Sequence, residues 1–86
     1  MTFKSAIDAL DSFSDMCFQQ QQIVQAKREQ ILEYALELAI HNAPASVLQS
    51  LKIKTDCLKS RERDFYFAAA DAWCAAEVLS LNQRSA

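Results

Sequence analysis

The sequence predicts an all-α chain, an antiparallel hairpin of two long helices with a turn at residues 41–46, dimerising into a four-helix bundle. Three observations predict the hairpin. The 86 residues include no glycine and a single proline, Pro44. Apolar residues recur in alternating steps of four and three on both sides of that proline. Between the two periodic stretches lies one strong turn signal, His41-Asn42-Ala43-Pro44-Ala45-Ser46. A chain without glycine has little use for positive φ, which disfavours tight sheet hairpins and glycine loops for phosphate.

The first helix is expected at about residues 4–41. Ser5-Ala6-Ile7-Asp8 resembles a capping box, with Asp in place of Glu, and Asp8 and Asp11 suit the positive end of the helix dipole. Its seam runs Phe3, Ile7, Leu10, Cys17, Val24, Ile31, Ala35 and Leu38, with polar gaps at Ser14, Gln21 and Arg28. The turn follows because asparagine tolerates the left-handed conformation and the residue before a proline leaves the α region. Ser46-Val47-Leu48-Gln49 reads as a second capping box, opening a helix at about 47–82. The seam of that helix is Leu48, Leu51, Thr55, Leu58, Glu62, Phe65, Ala69, Ala72, Ala76 and Leu79.

Antiparallel pairing sets Leu38 against Leu51, Ile31 against Leu58 and Val24 against Phe65. It also sets Gln21 against Ala69, Cys17 against Ala72, Ser14 against Ala76 and Leu10 against Leu79. The basic seam residue, Arg28, meets the acidic one, Glu62. On the flanks, Glu29, Glu33 and Glu37 fall near Lys59, Lys54 and Lys52. Such exposed pairs contribute only ~0.2–1 kcal/mol each, but a set of them selects register. The alternative is a compact monomeric bundle of three to four shorter helices. Its breaks would fall at Ser12–Asp15, at Gln19–Gln22, or at Ser60 acting as an N-cap ahead of Glu62 and Asp64.

Length bounds the chain to one domain, residues 1–86. The net charge of −2 gives no global attraction to nucleic acid or to an anionic membrane. Cys17, Cys57 and Cys74 are odd in number and irregularly spaced, which suits reduced thiols in a cytoplasmic protein rather than a disulfide framework. The N-terminal residues lack the pattern of a signal peptide, and no run approaches the ~18–20 apolar residues of a membrane span.

No catalytic, cofactor-binding or metal site is expected. His41, the single histidine, belongs at a helix C-terminus where its cation suits the dipole. One histidine and scattered thiols do not make a zinc site. Glu29, Glu33 and Glu37 resemble one wall of a carboxylate di-metal site, but the Glu-x-x-His element is missing. A solvated face is the better account of them. Tyr66-Phe67-Ala68-Ala69-Ala70-Asp71 resembles a short stretch of the small haemolysin-modulating regulators, but the flanking spacing departs from theirs and six residues assign no family.

The functional expectation comes from surplus apolar surface. Beyond its seam, the second helix carries a stripe at Phe67, Ala70, Cys74, Val78 and Leu81, with Tyr66 and Trp73 to one side. The first helix adds Phe13, Met16, Ile23, Leu32, Leu36, Ala39 and Ile40. A helix apolar nearly all round is buried on several faces. Burying one such large side chain stabilises by ~1.5–3 kcal/mol, so leaving six or more of them wet forfeits on the order of 10 kcal/mol. The expected function is therefore a non-enzymatic protein–protein interaction module, a small adaptor, chaperone or antagonist. Its interface would be Tyr66, Phe67, Ala70, Trp73, Cys74, Val78 and Leu81, and its partner a second copy or another protein. No membrane and no small molecule is expected. The alternative is a dimeric nucleic-acid-binding regulator contacting phosphates through Lys52, Lys54, Lys59, Arg61 and Arg63.

Overall fold

A computed structural model describes residues 2–85, and the side chains of all of these except Phe3, Arg84 and Ser85. The chain forms two α-helices, α1 (Phe3–Ile40, 38 residues) and α2 (Ala45–Ser85, 41 residues). They pack antiparallel into a rod of 65 × 16 × 14 Å. Ser12–Asp15, Gln19–Gln22 and Ser60 all lie inside continuous helix, so the bundle of shorter helices is not formed. None of these segments carries the Pro or Gly that would break the hydrogen-bond ladder.

Both helix starts lie ahead of the expected ones. Thr2, not Ser5, caps α1: its Oγ1 accepts from the Ser5 amide at 3.1 Å, and the Ser5 hydroxyl joins that pair. The first turn of α1 accordingly holds no acid, and Asp8 lies deeper in the helix than a dipole role requires. Ser46 is not the cap of α2. The Pro44 carbonyl accepts from the Val47 and Leu48 amides at 3.1 and 3.3 Å, so the helix has begun before the serine is reached. Proline cannot continue a helix from its N-terminal side, but its fixed φ lets its carbonyl start one.

The C-terminus of α1 matches its expectation. Asn42 adopts φ 60°. The Ala43 amide donates to the Leu38 carbonyl at 2.9 Å, and the Asn42 amide to the Ala39 carbonyl at 3.1 Å. This is the paired arrangement that satisfies orphan carbonyls at a helix end.

The core is the expected seam. Ser14, Cys17, Val24, Thr55, Ala69, Ala72 and Ala76 are buried, and Leu10, Ile31, Leu38, Leu48, Leu58 and Phe65 are half-buried beside them. Phe3, assigned to this seam, lies outside the residues with described side chains. Both buried hydroxyls are satisfied by the backbone: Ser14 donates to the Ala69 carbonyl at 3.0 Å, and Thr55 to the Lys52 carbonyl at 2.8 Å. No buried side-chain nitrogen or oxygen is left without a partner among the described residues.

The register agrees at Arg28, whose Nε donates to Glu62 Oε2 at 2.9 Å with both side chains largely shielded. It differs at the other end. Ser14 was matched to Ala76 but reaches Ala69, one heptad nearer the turn. A helix carbonyl points toward the C-terminus of its own helix, so the Ala69 oxygen lies level with Ala70 and Asp71, still short of Ala76. The flanking Glu–Lys pairs are not formed. Arg28–Glu62 is the one ion pair among the described residues, and Glu29 instead accepts from Gln25 Nε2 at 3.3 Å. Glu29, Glu33 and Glu37 point outward from the rod, while the lysines lie along its edges.

Candidate protein-binding face

The seven-residue repeat sorts the surface of α2. Lys52, Lys59, Tyr66 and Trp73 fall along one edge beside α1, and Lys54, Arg61, Ala68 and Ala75 along the other. Phe67, Cys74 and Leu81 face outward. At ~100° per residue, the expected interface from Val78 through Leu81, Cys74, Phe67 and Ala70 to Tyr66 and Trp73 covers one continuous arc of roughly 140°. All of these except half-buried Ala70 are exposed. Phe67 and Trp73 each keep 55% of their surface accessible.

The arc continues onto α1 through Phe18. The rings of Phe18 and Tyr66 meet edge to face at 6.4 Å, and Tyr66 meets Phe67 likewise at 5.8 Å. Phe18, Tyr66, Ala70, Trp73 and Cys74 together line an open groove of about 400 Å³. Phe18 was not among the residues expected here. The signal for it was available: Phe18 follows Cys17 of the seam as Tyr66 follows Phe65, and antiparallel packing brings those two edges together.

The remaining α1 apolar groups divide between the two edges. Leu32 lines a smaller groove with Leu48, Leu51 and Lys52, while Ile23 lies with Lys27 and Arg61 across the seam. Phe13, Met16, Leu36 and Ile40 are exposed.

The basic segment does not gather into one patch. Lys59 and Arg63 share a groove with Tyr66, and Arg28 and Glu62 pair within it. Lys54 and Arg61 lie across the seam, in a groove with Lys27. Lys52 stands nearer the turn. No family model, curated protein or solved structure matches the chain.

His41 caps the end of α1 and is exposed. Cys17 is buried in the seam, whereas Cys57 and Cys74 are exposed in separate grooves. Among the described residues, no three His, Cys, Asp or Glu side chains cluster so as to hold a metal ion, and no helix is long and apolar enough to cross a membrane.

Proposed function

We propose that this chain is a protein–protein interaction module, a small adaptor, chaperone or antagonist, that docks an apolar helix on the arc from Val78 to Trp73. The observation that carries this reading is the continuity of the two helices. Because neither half folds back, no other element among the described residues covers Phe67, Trp73 and Val78, and Phe18 and Tyr66 extend the same surface into a groove. Scattered exposed apolar residues are ordinary on a monomer, but aromatic and aliphatic side chains gathered on one arc, interrupted only by Glu77, mark an interaction surface. Helix-in-groove recognition fits its shape: anchors on successive turns of a partner helix pack beside Ala70, which lets two backbones approach closely. The partner helix belongs either to another protein or to a second copy.

Trp73 is the expected energetic anchor, since tryptophan and tyrosine dominate binding energy at such surfaces. Trp73→Ala is expected to weaken association by more than ~1 kcal/mol. The readouts are mass in analytical ultracentrifugation and retention of a purified partner in pull-down. Wild type and variant behaving alike in both would reject this face.

A further inference from the structure

A groove of about 540 Å³ runs along the edge opposite the aromatics. Ile31, Ile53, Cys57 and Leu58 form its apolar floor, and Ile53 is still 55% exposed. Lys27 stands on its α1 bank, and Lys54 and Arg61 stand on its α2 bank. No carboxylate lines it. Among the described residues, none of the three cations forms an ion pair. Asp64, in the adjoining groove, pairs with neither Lys27 nor Arg61. Uncovered aliphatic surface and unneutralised positive charge thus coincide at one place, in a chain whose net charge is −2.

We propose that the groove receives an acidic amphipathic helix of another protein. A third helix fits the shape, because ridges of side chains on one helix pack into the channel between two others. The apolar stripe of that helix covers Ile31, Ile53 and Leu58, and its carboxylates meet the cations on both banks. Lys54 and Arg61 lie about two helical turns apart, ~10.5 Å, so they match acids seven residues apart on one flank of the incoming helix. Lys27 matches an acid on its other flank. The cations select the sign of the partner, and the floor selects its amphipathic character. A nucleic acid would neutralise the cations, but no aromatic ring lines the groove for a base to stack on, and phosphates gain nothing from an aliphatic floor. The chain's own acidic strip, Glu29, Glu33 and Glu37, lies on the side of α1 away from α2. Seating that strip in the groove of another copy would string copies into an open chain rather than close a dimer. The occupant is therefore a different protein.

The probe is a labelled synthetic peptide of about three Leu-Ala-Ala-Leu-Glu-Ala-Glu repeats, whose glutamates flank the leucine stripe and discourage self-pairing. A twin peptide carries Lys for every Glu. Each is titrated with the full chain at about 50 mM salt and followed by fluorescence anisotropy. The acidic peptide is expected to bind about tenfold or more tighter than the basic one, and to weaken about tenfold at about 500 mM. The double variant Lys54→Glu with Arg61→Glu is expected to reverse the preference, and its gained affinity for the basic peptide is itself evidence of fold. Ile53→Gln, at an exposed position, is expected to weaken the acidic peptide about fivefold while helical circular dichroism stays unchanged. The bound acidic peptide is expected to slow alkylation of Cys57 by iodoacetamide and to leave Cys74 reactive. Trp73→Ala is expected to leave peptide affinity unchanged, which keeps this contact distinct from the aromatic arc. Two peptides that bind alike, an acidic peptide that does not bind, or binding lost in Trp73→Ala would each overturn the proposal. So would a charge reversal without effect. A single-stranded oligonucleotide that binds more tightly than the acidic peptide and is indifferent to Ile53→Gln would overturn it in favour of phosphates.

Discussion

Asn42 shows how much of the hairpin rests on one backbone angle. It holds φ at 60°, where a residue with a β-carbon is ordinarily strained, and from there its amide and that of Ala43 close the end of α1. Asparagine bears this conformation better than other non-glycine residues do. Asn42→Gly is therefore expected to leave stability within a few tenths of a kcal/mol, whereas Asn42→Ala is expected to cost ~1 kcal/mol. The midpoint of urea unfolding reads both; an alanine variant as stable as wild type would remove the argument. This turn was legible in the sequence because asparagine and proline act through their own covalent geometry. The caps were less so. Thr2, Ser5 and Ser46 all carry hydroxyls able to cap a helix, and the choice among them follows from where the first backbone bond forms. At α2 that bond is made by the Pro44 carbonyl, which no side-chain pattern announces.

At the scale of the helix, α2 changes character along its seam. Near the turn it offers Leu48, Leu51 and Leu58; toward the open end it offers Ala69, Ala72 and Ala76. Ala69 has no accessible surface, and Ser14 reaches its carbonyl directly, so the helices approach closely there. Ala69→Leu has no room to fit and is expected to destabilise by ~1–3 kcal/mol, measured by thermal or urea unfolding. A neutral outcome would mean that the open end is loosely packed. The seam itself could be read from the sequence, since a period of four and three survives every polar interruption. Its finer register could not. Sliding α1 past Ala69, Ala72 and Ala76 exchanges one alanine for another, so matching apolar to apolar does not distinguish adjacent registers. Arg28 and Glu62 escape that ambiguity because they are the charged residues of the seam, and they meet. The flanking charges were misread because their stems reach past the edge into solvent, where an exposed pair contributes little.

The whole molecule is a thin rod, and its seven most buried residues are small or medium-sized. None of the large side chains whose burial is described is fully covered. Two helices share one line of contact and enclose nothing, so much of the stability of this chain is expected to come from whatever docks along its sides. If the docked body is a second copy, the melting temperature rises with protein concentration, because association stabilises the folded state by mass action. Melting followed by circular dichroism between about 2 and 200 μM reads this, and a midpoint independent of concentration would show the lone hairpin to be self-sufficient. The aromatic arc could be anticipated from an over-apolar α2, but Phe18 could not be added to it until the two edges were aligned. The rod also has a practical polarity. Its reversal at Asn42 returns the start of α1 and the finish of α2 to one extremity, about 18 Å of helix beyond Trp73, while the bend lies at the other end of a body 65 Å long. A bulky fusion at either terminus would therefore stand on the aromatic half of the rod, whereas one spliced between Ala43 and Pro44 would stand at the far end from it.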